Sequence, residues 1–274
     1  MIDTTINPGA WQKRKKKTIR HFLGNLYGIA LEGNTRKLWH YFLSEGLNMI
    51  NERTMGLLKS TNKLYCPFCN AESRSFIHIS NEREIKWNSA CPSCNSRSRH
   101  RGLRYLYEEI LDGHNNRTRV LHFAPEPILA DFIRRKYKEI EYFTTDFILE
   151  DVDFRNEDIQ KLSFSDQSFD IIFCNHVIEH VEDDDAAISE MARVLRGGGI
   201  AVITIPGDWN QKETYYFPDL RHNGHYRHYG LDIVEKLEKH FSSVLVKNLH
   251  DYDNIIEGHS LAIPLKEYAF ICTK

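Results

Sequence analysis

The sequence predicts an α/β protein: a doubly wound, mostly parallel sheet behind an N-terminal helical segment and a small cysteine ribbon. Three observations lead to this class. From residue 119 onward, short apolar runs alternate with stretches of helical periodicity, the pattern of a parallel sheet covered on both faces. Two Cys-x-x-Cys pairs stand about twenty residues apart, the spacing of a metal-held ribbon. Ahead of both, apolar residues recur every three to four positions, as on a helix face.

The elements follow in order. Over residues 11–60, Phe22, Leu23, Leu26 and Ile29, then Leu38, Trp39, Phe42 and Leu43, mark two helices broken at Gly33-Asn34. Residues 64–96 read as the ribbon, with FIHIS and EIKW as hairpin strands. The run Arg97-Ser98-Arg99-His100-Arg101 opens a helix through Leu103, Leu106, Tyr107 and Ile110, and Asn115-Asn116 marks a boundary. Then come strand RVLHF, a helix at 127–137, strand EYFTT, the short segment DVDF, strand FDIIFCN and a helix near 184–195. Gly197-Gly198-Gly199 reads as a helix stop and turn before strand IAVITI. A helix at 230–240 and strands SVLVKNL and EYAFICT complete the chain. This gives three parts: a basic helical segment (1–62), a ribbon (63–97) and the α/β domain (98–274).

Of 274 residues, 41% are hydrophobic and 27% charged, an ordinary globular balance. No run of about 18 apolar residues is present, which argues against a membrane-spanning helix. The N-terminal basic residues precede no apolar core of the secretory kind, so a cytoplasmic location is expected. The net charge of −2 conceals a division: residues 1–118 carry 19 Lys and Arg against 10 Asp and Glu, leaving 17 against 28 for the rest. A basic front half favours an anionic partner such as nucleic acid, a phosphorylated carrier or an acidic membrane surface. The run Lys13–Lys17 is either a solvated helix face or, through residues 11–30, a peripheral membrane contact.

Cys66-Pro-Phe-Cys69 and Cys91-Pro-Ser-Cys94 present two thiolates per turn, which fits a structural Zn2+ with a closed four-sulfur shell. Cys174 and Cys272 sit in apolar strands and read as inert core residues.

In an open α/β sheet the ligand lies beyond the carboxyl ends of the strands, near the switch in strand order. The first strand delivers Phe123-Ala124-Pro125-Glu126 there, without the glycines that usually allow close backbone approach. The second delivers Asp146, placed to accept hydrogen bonds from ribose hydroxyls. Asp158 precedes Ile159, and the fourth strand delivers Asn175-His176, followed by Ile178-Glu179-His180.

The ordered phrases VLHFAPEP, TTD, EDIQKLSFSDQSFDIIFCNHVIEHV and RVLRGGGIAVITIP resemble class I S-adenosylmethionine-dependent methyltransferases. They resemble in particular the subgroup with an LHxAPE first motif and a CPxC ribbon. The likeness covers roughly residues 64–274 and implies a Rossmann-like, seven-stranded sheet with S-adenosyl-L-methionine as cofactor. Against the common Asp-x-Gly-x-Gly pattern, His122 stands for the acid and Ala124 and Glu126 for glycines. Proline fixes φ, so the turn can be rigid without glycine, and Glu126 restores a carboxylate further along the loop. The resemblance puts Glu126 near the methionyl end, Asp146 on the ribose, and Asp158 with Ile159 at the adenine. His176 is expected to touch cofactor or substrate.

A hydroxyl acceptor needs held geometry and a proton acceptor. His225, in RHNGHYRHYG, resembles the family's DHxRxYG segment and is the first choice, with His180 second and Arg227 and Tyr229 as substrate contacts. Where the family has Asp, this chain has Gly224, so the carboxylate that would orient His225 is missing. His222, His225 and His228 also invite a second metal reading, and Trp209, Tyr215, Tyr216 and Phe217 read either as a lid or as packing. The expected reaction is O-methylation of an anionic small-molecule or glycan-type acceptor, phosphorylated or lipid-linked. An RNA methyltransferase is the first alternative, opposed by NHVI where an Asn-Pro-Pro-aromatic stretch would serve base nitrogens. A non-catalytic zinc-ribbon interaction protein with a decayed cofactor fold is the second.

Overall fold

The computed structural model describes residues 19–54, 63–80, 85–114, 117–218 and 224–274. The chain forms two compact units, one comprising residues up to Tyr107 with Leu249–Leu265, the other Glu108–Asn248 with Lys266–Lys274.

In the first unit, helices Ile19–Leu31 and Thr35–Thr54 meet at a turn where Gly33 takes φ +70°. The Asn34 side chain accepts from the Lys37 amide at 2.9 Å and caps the second helix. The periodic apolar residues give only a half-buried face: Phe22 stacks on Tyr41, while Leu23, Trp39 and Phe42 stay exposed. Asn48 clamps strand Ile77–Ser80 through both its amide atoms, each 2.8 Å from a backbone group of His78. That strand pairs antiparallel with Ile85–Ala90, the expected hairpin. Lys63–Cys66 pairs with Ala71–Ser73 on one side and, in parallel, with His259–Ser260 on the other. A helix spans Ser98–Leu111.

The second unit holds a seven-stranded sheet: β1 (Arg119–Phe123), β2 (Glu141–Asp146), β3 (Phe154–Arg155), β4 (Phe169–Asn175), β5 (Leu195–Thr204), β6 (Ser243–Asn248) and β7 (Tyr268–Thr273). The order is β6-β7-β5-β4-β1-β2-β3. Every neighbour pair is parallel except those made by β7, which runs against both β5 and β6. Helices α1 (Pro127–Lys136), α2 (Asp184–Val194) and α3 (Ile233–Glu238) connect the strands. The central strands β1 and β4 are mostly apolar and buried because both sheet faces are covered there: Leu121, Ile172, Met191, Ile203 and Phe270 are all buried in one cluster. The glycine run departs from expectation. It lies inside β5, where the pairing with β4 slips between Phe169↔Leu195 and Ile171↔Ile200. Gly198 takes φ +77°, and a Cβ on Gly199 would meet the Asp170 carbonyl at 2.8 Å, so the irregularity needs bare backbone there.

The sheet reverses its direction of winding between β1 and β4. The ends of these two strands therefore frame the crevice in which a ligand is expected. Among the described residues no helix is long and apolar enough to cross a membrane.

Candidate functional site

The strand ends beside the switch share one device. Ala124, just past β1, takes φ +44° and donates its amide to the Thr145 carbonyl on β2 at 2.9 Å. His176, just past β4, takes φ +53° and donates to the Thr204 carbonyl on β5 at 2.8 Å. A left-handed conformation costs a residue with a Cβ roughly 1–2 kcal/mol, and such strain gathers at functional sites. The turn at 124–127 therefore has the backbone shape that glycine ordinarily supplies. Pro127 then starts α1 at a position where its missing N–H costs nothing.

Beneath the turn lies a polar network. His122 is fully buried; its Nδ1 meets the Tyr142 hydroxyl at 2.7 Å, and its Nε2 lies 3.3 Å from Asn175 Nδ2 and 3.6 Å from Glu126 Oε2. Asn175 donates to Glu126 Oε2 at 3.0 Å and accepts from the Thr204 hydroxyl at 3.1 Å. His122 and the Glu126 carboxylate are thus joined through Asn175 in one network. Two more expected residues are fixed by one oxygen each. Asp146 Oδ1 accepts from the amides of Ile148 and Leu149 at 2.6 and 2.7 Å. Asp158 Oδ1 accepts from the Gln160 amide at 2.9 Å and its side chain at 3.1 Å. In each, Oδ2 receives no hydrogen bond from the described residues. The side chains of Phe123 and Ile159 are buried in the core cluster, so only their backbones are available to a ligand.

Past His176 the chain makes a short 3-10 turn, Ile178–His180, and here the structure adds a residue that the sequence reading left without a task. Glu179 is fully buried, with His176 Nδ1 3.2 Å from its Oε1. One ligand atom each from Glu179, His180 and His225 all lie within 4.8 Å of one another. The His180 and His225 rings meet edge to face at 4.6 Å, and His180 Nδ1 lies 3.2 Å from the Gly224 carbonyl. Burial, reinforced by His180, His176 and His228, holds the His225 imidazole below its usual pKa, against the opposite pull of Glu179. A carboxylate from another segment, Glu179, thus lies near His225, although neither of its oxygens accepts a hydrogen bond from the ring. No local signal in the sequence tied Glu179 to His225, because the two lie 46 positions apart.

Arg227 and Tyr229, expected to touch substrate, are buried behind this turn. The Arg227 guanidinium donates to the carbonyls of Ile178 (3.1 Å) and Glu182 and lies 3.4 Å from the Asp184 carboxylate. The Tyr229 hydroxyl donates to Asp184 at 2.9 Å. Both orient the Ile178–His180 turn from within. The Tyr226 amide adds a bond to the Glu179 carbonyl at 2.8 Å. Trp209 packs on Tyr268 and Phe270, whereas Tyr215 and Tyr216 are exposed and pair antiparallel with Arg227–His228. His222 and residues 11–18 lie outside the described residues.

In the first unit the four ribbon cysteines converge, with Cys66 Sγ 3.5 Å from Cys94 Sγ and Cys69 Sγ 3.7 Å from Cys91 Sγ, and none is in a disulfide. Four sulfurs at about 2.3 Å around one zinc stand ~3.8 Å apart, so the donor set fits that ion. Burial raises the Cys174 thiol well above its usual range and pushes Cys272 up to about 12, consistent with inert core positions.

Strand order and the crevice at the switch are those of a Rossmann-like α/β domain of the methyltransferase type. Residues 109–203, about a third of the chain, match the family described as "Methyltransferase domain". This stretch therefore carries a methyltransferase domain, with S-adenosylmethionine-dependent methyl transfer as its chemistry. The chain is 25% identical over 230 residues to a tRNA U34 carboxymethyltransferase of Nautilia profundicola, covering 77% of this chain and 69% of that protein. Over 69 residues it is 41% identical to a demethylmenaquinone methyltransferase of Bacteroides fragilis, covering 24% of this chain and 28% of that one. Among solved structures, the PH0226 protein of Pyrococcus horikoshii superposes with a TM-score of 0.46 at 19% identity, over 64% of this chain and 89% of that one.

Proposed function

We propose that this methyltransferase O-methylates a hydroxyl of an anionic small-molecule or glycan-type acceptor, phosphorylated or lipid-linked. The LHxAPE first motif and the cysteine ribbon fit the subgroup named above, with 1–62 as helical segment, 63–97 as zinc ribbon and 98–274 as catalytic domain. S-adenosylmethionine, when bound, supplies an electrophilic methyl on a sulfonium. The residues Phe123-Ala124-Pro125-Glu126 cradle its methionyl end, where carboxylates favour a cationic ligand. The free Oδ2 of Asp146 takes the ribose, Asp158 and the Ile159 backbone take the adenine, and Asn175-His176 close the crevice. Replacing Asp146 by alanine is expected to weaken cofactor binding by at least about tenfold, one charge-assisted hydrogen bond being worth roughly 1.5–3 kcal/mol. Calorimetry with S-adenosylmethionine checks this, and equal affinity for wild type and variant would sink the assignment.

The observation that carries the acceptor reading is the meeting of Glu179, His180 and His225 beside His176. His225, backed by His180, takes the hydroxyl proton as the new carbon–oxygen bond forms. A second reading, RNA methylation, draws on the tRNA-directed relative and on the basic residues of 1–118. Part of that charge is already committed internally: Arg101 is buried among carbonyls and Arg104 donates to Pro67. Radiolabelled methyl donor, supplied with either transfer RNA or a nuclease-treated small-molecule and glycolipid extract, separates the two. Label in the nuclease-treated fraction supports the hydroxyl reading; label confined to RNA overturns it.

A further inference from the structure

Glu179 is fully buried, yet neither carboxylate oxygen accepts a hydrogen bond from the described residues. A buried charge in that state is costly unless another charge sits against it. Its neighbours are imidazoles: His176 Nδ1 stands 3.2 Å away, and the His180 and His225 nitrogens lie within 4.8 Å of it and of each other. Protonating all three rings would crowd three positive charges around one negative charge. A single divalent ion satisfies the carboxylate and uses neutral rings as donors. The Gly224 carbonyl 3.2 Å from His180 Nδ1 can only accept, so it favours the tautomer with the proton on Nδ1 and a lone pair on Nε2. The positions are preset by the frame around them: Tyr226 holds the Glu179 carbonyl at 2.8 Å and Arg227 holds that of Ile178 at 3.1 Å.

We propose that Glu179, His180 and His225 form a site for a divalent first-row transition cation, separate from the four-cysteine cluster. Two imidazoles and one carboxylate suit zinc, iron, cobalt or nickel better than calcium or magnesium, which take mostly oxygen donors. Ligand atoms on one such ion stand ~3–3.5 Å apart, so loading draws the three side chains slightly inward. Three protein ligands leave open coordination positions. One consequence, unlike the site itself, rests on the hydroxyl-acceptor reading. An ion held there would engage the His225 lone pair, so His225 would serve as proton acceptor only in the metal-free site. In the loaded site the three residues would hold the ion, and its positive charge would favour loss of the acceptor's hydroxyl proton to solvent.

The test titrates Co2+ into the full chain with zinc already on the cysteines. The expected result is one further equivalent giving visible cobalt bands without sulfur-to-cobalt charge transfer. His180→Asn and His225→Asn should each weaken uptake at least about tenfold, with S-adenosylmethionine affinity unchanged. His180 is exposed, so its variant leaves the core intact even if Glu179→Gln fails to fold. No uptake beyond the cysteines, uptake with a sulfur band, or uptake that survives both histidine variants would overturn the proposal. Failure of the cofactor reading would appear separately, as absent S-adenosylmethionine binding by wild type.

Discussion

Serine in place of Cys66 or Cys91 is expected to abolish zinc binding and to unfold the ribbon. The strands around the cluster are short: Lys63–Cys66 has four residues and Ala71–Ser73 three. Strand pairs of that size are marginal in water without a covering core or a staple. A structural zinc contributes on the order of 10 kcal/mol or more in small metal-held folds, which exceeds what these strands can supply alone. A second element depends on the same geometry. Arg101 is completely buried, and its guanidinium donates to the carbonyls of Ser89 (3.2 Å), Ser96 (2.8 Å), Asn88 (3.1 Å), Ala262 (3.2 Å) and Leu261. Burial lowers its pKa to about 10, opposed by the negative charge of Cys66, Cys91 and Cys94. A zinc tetrathiolate carries net negative charge, so the buried cation is its natural counter-charge. Elemental analysis should find one zinc per wild-type chain and none in the serine variant. Limited proteolysis should cut the variant within residues 63–107. A zinc-free variant as protease-resistant as wild type would remove the structural role.

The ribbon was legible because its signal is local: the spacing within and between the two cysteine pairs already encodes the turns. The strands of the large sheet were legible for a similar reason, since fully buried strands read as unbroken apolar runs. Direction is a different matter. Nothing in EYAFICT distinguishes an antiparallel strand from a parallel one, and the reversal of β7 depends on how the chain returns to it. The glycine run misled because a bulge inside a strand and a turn before one ask for the same residue.

At the site, the limit of sequence reasoning was distance along the chain. Gly224 looked like a missing carboxylate until folding brought Glu179 to His225 from 46 positions away. Ala124 stands where the family pattern has glycine, and the sequence reading assigned the rigidity of the turn to Pro125. In fact Ala124 adopts the left-handed conformation and bears the strain, held by its bond to Thr145. Arg227 and Tyr229 read as substrate contacts because RHNGHYRHYG resembles a family segment, and a polar loop residue becomes buried only when a partner such as Asp184 waits beneath it.

That last difference yields the second large effect. Arg227→Met is expected to lower stability by about 3–5 kcal/mol, the usual cost of removing one member of a buried charge pair. Asp184 would keep Lys236 at 2.7 Å and Tyr229 at 2.9 Å but lose its buried guanidinium. The carbonyls of Ile178 and Glu182 would lose their donors. The Ile178–His180 turn would then loosen, and turnover should fall because His180 and His225 no longer meet. Arg227→Lys should recover part of the stability, since it restores the charge but not the two-pronged geometry. Tyr229→Phe removes only one hydrogen-bonding hydroxyl and should cost about 1 kcal/mol. Urea unfolding with steady-state kinetics on the same variants distinguishes the two roles. A support residue changes unfolding midpoint and kcat together. A substrate contact would leave the midpoint in place and raise KM for the acceptor, and that outcome would return Arg227 to the pocket where the sequence first put it.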